Sequence, residues 1–244
     1  MKKHTDFSRA LYKIVACATL LLTVGVFLER SGKYYVGAEA GGERKHVCTS
    51  LEEAKKLADQ NAVYGWSVFD FNGRLVYTTY SPLAAEILRE AKTITDYVRE
   101  EGFTYGDAPI NPAIDCSAKK VSCDRLVCWV MYNVGFTDQP EQSGLFVYAA
   151  GGDPRDLPSW CERHGFEKIT EESELQPGDI VFVNPKTTAS GTVYAGHTFI
   201  HAGTGERSGE YYRYDCGMDE RIRSVQPSSE PILNFMFAYR PVRG

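Results

Sequence analysis

Residues 122–135 read Ser-Cys-Asp-Arg-Leu-Val-Cys-Trp-Val-Met-Tyr-Asn-Val-Gly, a pattern that predicts a helix with a cysteine at its start. Counted from Cys123, the apolar residues recur at intervals of three and four, as on the core-facing side of an amphipathic helix. Gly135 supplies the C-terminal stop. Unpaired N–H groups and the macrodipole at a helix start favour a thiolate, so Cys123 is a candidate nucleophile.

Helix and strand signals on both sides of this stretch predict the fold class. Upstream, Ser81-Pro82 begins a helix that runs to about Glu101. Downstream, short β-rich runs separated by turn residues are typical of an antiparallel sheet. These runs are residues 180–183, 197–201, 211–215 and 233–239. Helices followed by strands predict an α+β domain over residues 81–244, with the helices packed on the sheet.

The segment before this domain predicts a linker and a small lead-in unit. Residues 29–47 are Gly-rich and mixed in charge, which suits a juxtamembrane linker. Residues 51–59 are rich in helix formers, and Asn72-Gly73 separates two β-rich runs, which is a strong hairpin signal. The sequence therefore predicts an αββ unit over residues 48–80. The linker and this unit together form a region that we assign to residues 31–80.

Residues 1–30 predict a membrane segment. Basic residues precede an uncharged apolar run at 14–28. A helix from about Ala10, with Lys13 snorkelling, is about 28 Å long, close to the roughly 30 Å hydrocarbon core. The basic flank predicts a cytoplasmic N-terminus and a single-pass anchor, with the rest of the chain outside the cell. Ala38-Glu39-Ala40 leaves a second possibility open, a signal peptide cleaved near Ala40 to give a secreted protein.

Composition narrows the classes of partner and cofactor. The 244 residues are 43% apolar and 24% charged, as in a globular protein, and the net charge is −5. This charge provides no basic surface, so we expect no nucleic-acid partner. The seven cysteines form no paired C-x-x-C clusters. Neither a disulfide framework nor a zinc site is therefore predicted.

A thiol nucleophile needs a base, and the base needs an orienting acceptor. His197 and His201 lie four residues apart on one predicted strand, so both point to the same face. Periodicity alone does not choose between them. Asp215 lies on the next predicted strand and reaches an imidazole if the two strands pair.

The order of these elements resembles the NlpC/P60 cysteine peptidases and their CHAP relatives over about residues 82–240. The resemblance is carried by Tyr105-Gly106 in an irregular loop, the Cys123 helix, Leu-Gln-Pro-Gly-Asp-Ile-Val-Phe at 175–182, and Gly196-His197. The 175–182 element is quite specific, because a tight Pro-Gly turn must direct the chain into a central strand. The resemblance implies a papain-like fold.

The resemblance also implies an activity and a role for four residues. Cys123 matches the nucleophile, His197 the base and Asp215 the third, polar position. The Tyr105 hydroxyl would help the Cys123 backbone N–H to stabilise an oxyanion. The implied enzyme is a cysteine peptidase or amidase that cleaves amide bonds in peptidoglycan stem peptides through a thioester, without a cofactor or metal.

Departures from the family pattern leave alternatives open. The family usually reads Asp-Cys-Ser-Gly, whereas Cys123 is followed by Asp124 and Arg125. A carboxylate there disfavours a thiolate unless it faces the helix cap or Arg125. Cys116 lies in an Asp-Cys-Ser tripeptide, but no apolar stripe follows it, so we prefer Cys123. A binding protein with an inactive site, or a hydrolase of amides outside the cell wall, remains an alternative function.

Overall fold

The computed structural model describes residues 32–38, 46–106, 112–138, 156–189, 191–204, 211–216, 222–223 and 234–242. These ranges contain four α-helices and antiparallel sheets, which confirms the predicted α+β class. Within them, no helix combines the length and apolar character that crossing a bilayer requires. The predicted membrane segment at 1–30 lies outside the described residues, as do Glu39 and Ala40 of the candidate cleavage site.

The N-terminal unit is a four-stranded antiparallel sheet that carries one helix. Its elements are β1 (Tyr34–Ala38), β2 (His46–Cys48), α1 (Leu51–Gln60), β3 (Trp66–Phe69) and β4 (Leu75–Thr78). The strand order is β2-β1-β3-β4, and Ala54 and Ala58 of α1 pack in one cluster with Val36 and Val68 of the sheet.

This unit contains the predicted helix and hairpin and two further strands. β1 and all but the last residue of β2 lie in residues 29–47, the segment that composition assigns to a linker. Composition misses them because both are short and gain their stability from pairing. β1 is hydrogen-bonded to β2 on one side and to β3 on the other.

The larger sheet supplies the framework of the second unit. Before it come α2 (Pro82–Glu100), β5 (Thr104–Tyr105), β6 (Lys120–Val121), α3 (Cys123–Asn133) and α4 (Leu157–Arg163). Its strands are β7 (Glu167–Ile169), β8 (Ile180–Thr187), β9 (Val193–Thr204), β10 (Tyr211–Cys216), β11 (Ile222–Arg223) and β12 (Phe235–Arg240). The antiparallel order is β11-β10-β9-β8-β12-β7, so β9 and β10 are neighbours.

Helix α3 lies in the centre of the core. Its residues from Cys123 to Met131 are all buried, whereas the sequence predicts only one buried face. The difference arises because α3 packs against both α2 and the sheet strands β9 and β10. Burial on several sides also explains why the charged residues Asp124 and Arg125 are enclosed.

The Pro-Gly-Asp turn at 177–179 fixes the start of β8. Gly178 has φ +98°, and a Cβ on it would lie 2.8 Å from the Cβ of Ala84 in α2, so only glycine fits there. Asp179 accepts hydrogen bonds at 3.0 Å on each carboxylate oxygen from the guanidinium of Arg240. This turn therefore ties the first helix of the domain to the central strands.

Candidate active site

Cys123 is the first residue of α3, as the sequence predicts. The preceding residue Ser122 has extended backbone angles (φ −99°, ψ 169°), and its carbonyl accepts the first helical hydrogen bond from Leu126 N at 3.0 Å. The backbone N–H of a first helical residue has no acceptor within its own helix. Cys123 thus brings a thiol and an N–H group to the same point, with only 4% of the residue exposed.

His197 and Asp215 meet because β9 and β10 are adjacent and antiparallel. His197 Nε2 lies 3.1 Å from Asp215 Oδ2. The Cys123 side chain also interacts with the imidazole of His197 and helps to raise the pKa of that ring. Since Nε2 faces Asp215, Nδ1 is the ring nitrogen left for the thiol. The structure thereby brings together three of the four predicted residues in the order Cys123, His197, Asp215.

The electrostatic balance at His197 favours the imidazolium. Burial alone would lower its pKa, but the hydrogen bonds to Asp215 and Cys123 and their charges outweigh burial and raise the pKa to about 9. Asp215 is 2% exposed, so its charge acts on the imidazole with little screening by water. A charged imidazole beside a thiol is the arrangement that stabilises a thiolate.

Tyr105, the fourth predicted residue, also reaches the thiol. β5 and β6 pair in parallel with Tyr105 opposite Val121, two residues before Cys123. Burial, followed by the neighbouring Cys123 thiol, raises the pKa of Tyr105. The hydroxyl therefore keeps its proton and can act as a donor.

The Asp124 carboxylate contacts Ser122 at the helix cap and lies near Arg125. Ser122 Oγ donates a hydrogen bond to Asp124 Oδ1, and the backbone N–H groups of Asp124 and Arg125 donate to the same carboxylate. Arg125 Nε lies 3.8 Å from Asp124 Oδ2. Burial raises the pKa of Asp124 to about 7, against the effect of these donors, so the carboxyl group carries only part of its charge at neutral pH.

His201, the other histidine of β9, lies outside this arrangement. It is 2% exposed, and neither ring nitrogen has a hydrogen-bond partner among the described residues. Burial lowers its pKa to about 4, so it is neutral at physiological pH. The geometry thus favours His197 as the base.

Cys116, the other candidate nucleophile, lies in an exposed turn. Asp115 Oδ1 accepts a hydrogen bond from Ser117 N at 2.9 Å, and the Cys116 thiol is hydrogen-bonded with Tyr97 of α2. The groups that act on His197 are instead Cys123 and Asp215. The family-like tripeptide therefore forms a surface turn.

Sequence reasoning missed Arg213, which shares the Asp215 carboxylate with the base. Arg213 Nε lies 2.9 Å from Asp215 Oδ2, the same oxygen that faces His197. The two residues are separated by one position on β10, so their side chains lie on the same face. That spacing in Tyr-Arg-Tyr-Asp was the available signal, once Asp215 had been chosen.

The arrangement supports nucleophilic chemistry at a carbonyl carbon. It has a thiol at a helix start, a protonatable imidazole in contact with it, a buried carboxylate behind the imidazole and a phenol beside the thiol. Within the described ranges, no group of three or more His, Cys, Asp or Glu side chains could hold a metal ion.

Comparison with known proteins adds no family assignment. No model of a known protein family matches this chain, and no curated protein matches it either. The likeness to NlpC/P60 peptidases therefore depends on the motifs of the sequence.

Proposed function

We propose that this protein is a cysteine hydrolase with an NlpC/P60-like, papain-like fold, which cleaves amide bonds in peptidoglycan stem peptides. The observation that carries the proposal is the hydrogen bond between the His197 imidazole and the buried Asp215 carboxylate, with the Cys123 thiol acting on the same imidazole. An isolated helical cysteine is ordinarily a core residue. A cysteine at a helix start with an imidazole and a carboxylate in line is suited to catalysis.

In the acylation step, Cys123 Sγ forms a bond to the amide carbonyl carbon, and the carbonyl oxygen becomes an oxyanion. The backbone N–H of Cys123 and the hydroxyl of Tyr105 are the donors proposed for that oxyanion. The His197 imidazolium gives its proton to the leaving nitrogen as the C–N bond breaks. A thioester on Cys123 and a free amine result.

In the deacylation step, the neutral His197 takes a proton from water, and the resulting hydroxide attacks the thioester carbonyl. The C–S bond then breaks, which releases a carboxylic acid and returns the thiolate of Cys123 beside the imidazolium. Asp215 holds the imidazole in one orientation and stabilises its positive charge in both steps.

The substrate class and the location come from the sequence. Peptidoglycan follows from the NlpC/P60 resemblance of the 175–182 and 196–197 motifs. The apolar run at 14–28 with its basic flank supports an anchor that keeps the catalytic domain on the outer side of the cell membrane, and cleavage near Ala40 would give the secreted form.

Digestion of purified peptidoglycan by the full-length chain in detergent tests this function. Mass spectrometry should show new amine and carboxylate ends in the stem peptides. Cys123→Ala should abolish their release, and Cys116→Ala should leave it unchanged. Wild-type activity in Cys123→Ala would refute the assigned nucleophile.

Iodoacetamide separates the enzyme from the alternative of an inactive binding protein. A catalytic Cys123 should be alkylated faster than the exposed Cys116, although Cys123 is the more buried thiol. A Cys123 that reacts more slowly than Cys116 would favour the binding protein. Fast alkylation without stem-peptide cleavage would point to a hydrolase of other amides.

A further inference from the structure

The Asp215 carboxylate is held asymmetrically. Oδ2 receives both His197 Nε2 at 3.1 Å and Arg213 Nε at 2.9 Å, whereas the buried Oδ1 has no hydrogen-bond partner among the described residues. The orientation of the carboxylate therefore depends on two donors at one oxygen. A buried carboxylate is costly to keep ionised unless a cation is paired with it.

Arg213 is itself fixed in place by aromatic neighbours. Its Nη1 donates a hydrogen bond of 2.8 Å to the Tyr211 hydroxyl. The guanidinium carbon lies 5.5 Å from the ring centre of Phe199 and 5.7 Å from that of Tyr211. These two rings are stacked with their centres 5.7 Å apart. A planar guanidinium gains from such rings and presents its N–H groups in fixed directions.

The backbone of β10 places Arg213 within reach of both Asp215 and Tyr211. The register between β9 and β10 shifts between Tyr212 and Arg213. Such irregularities re-aim the following side chains and occur often beside active sites. Here the strand resumes regular pairing with Arg213 opposite His201, and Asp215 follows on the same face.

We infer that Arg213 is a positioning residue, which holds the Asp215 carboxylate in the orientation that hydrogen-bonds His197. This inference rests on the proposed function, since it assigns Arg213 a part in that same site. Arg213 acts through Asp215, because it forms an ion pair with that carboxylate and its side-chain hydrogen bond goes to Tyr211. Its guanidinium places Nε beside the carboxylate in an ion pair and donates a hydrogen bond to the phenol through Nη1, whereas a lysine has one nitrogen for both positions.

The test is a double-mutant cycle read by the rate of Cys123 alkylation with iodoacetamide, which requires no substrate. Arg213→Met should slow alkylation roughly tenfold, the size typical of losing a group that orients a catalytic side chain. In the Asp215→Asn background, the same substitution should have no further effect, because the partner through which it acts has been changed. A merely structural contribution of Arg213 would slow alkylation equally in both backgrounds, and that outcome would overturn the inference.

Further variants keep the test decisive if Arg213→Met does not fold. Arg213→Lys retains the charge, so its alkylation rate should lie between those of Arg213→Met and the wild type. Tyr211→Phe removes the hydrogen bond from Arg213 Nη1 and should lower the wild-type alkylation rate two- to threefold. Arg99→Met breaks an Arg–Asp pair on the exposed face of α2 and is the matched control, for which we expect no change. Wild-type rates in both Arg213→Lys and Tyr211→Phe would refute the positioning role.

The wild-type protein separates this inference from the proposed function. If Cys123 of the unaltered chain reacts no faster than Cys116, the catalytic site itself fails. If Cys123 reacts faster and Arg213→Met is just as fast, the site stands and only the role of Arg213 is refuted.

Discussion

His197 and His201 lie on one strand, four residues apart, and differ in almost every chemical property. His197 is hydrogen-bonded to Asp215 and interacts with Cys123, and these partners outweigh burial and raise its pKa to about 9. His201 has no hydrogen-bond partner among the described residues, and burial lowers its pKa to about 4.

The contrast shows that the neighbours of a histidine decide its chemistry. Both rings are enclosed, and in both cases burial disfavours the charged form. Only at His197 does a buried carboxylate offset this cost. At the position of His201, the stacked ring of Tyr211 is an aromatic neighbour that brings no charge.

The largest difference should appear in catalysis. His197→Ala should reduce the kcat of peptidoglycan hydrolysis roughly a thousandfold, because the general acid and base is lost. His201→Leu should leave kcat within about twofold of the wild type, because this ring does not contact the thiol. Steady-state rates of stem-peptide release measure both. Equal losses in the two variants would contradict the division of roles.

The titration of His197 should depend on Asp215. The imidazole of the wild-type protein should titrate near pH 9. In Asp215→Asn, the midpoint should fall by at least about one unit, because the carboxylate is the strongest stabiliser of the imidazolium. NMR of the histidine ring protons measures the midpoint, and His201 serves as an internal control. An unchanged His197 midpoint would show that Asp215 does not stabilise its charge.

The two histidines should affect stability on opposite sides of neutrality. The pKa of His197 is raised on folding, so its contribution is complete below pH 6.5 and is lost as pH rises through about 9. The pKa of His201 is lowered, so its contribution is present above pH 6.5 and is lost as pH falls through about 4. Urea unfolding at several pH values should show a shallower acid-side loss in His201→Leu and a shallower alkaline-side loss in Asp215→Asn.

His201→Leu should also stabilise the protein slightly at neutral pH. Replacing a buried imidazole that makes no hydrogen bond with an apolar side chain removes a desolvation cost, for a gain of about 1 kcal/mol. The free energy of unfolding in urea measures this effect. A loss of stability would indicate that the stacking of His201 on Tyr211 outweighs the cost of its burial.

Much of the site could be predicted from local sequence. The apolar intervals after Cys123 place it at a helix start, and the structure has α3 beginning at that residue. The alternation of β-rich runs places His197 and Asp215 on successive strands, and β9 and β10 are neighbours. These features follow from backbone periodicity, which nearby residues determine.

Other features required contacts between distant parts of the chain. β1 and β2 form because they pair with each other and with β3, and no local signal of comparable strength marks them. The orientation of the Asp124 carboxylate toward the helix cap depends on its hydrogen bond with Ser122 and on the burial of the whole helix start. The position of Arg213 depends on the register shift between β9 and β10.

The chain order of Cys123, His197 and Asp215, the helix start and the antiparallel strands are therefore properties of the sequence alone. The different surroundings of His197 and His201, the exposed turn around Cys116 and the pairing of Asp215 with both His197 and Arg213 arise only in the tertiary structure. The physical reason is that periodicity sets the direction of a side chain along its own element. Hydrogen-bond distance and burial exist only after the elements have packed together.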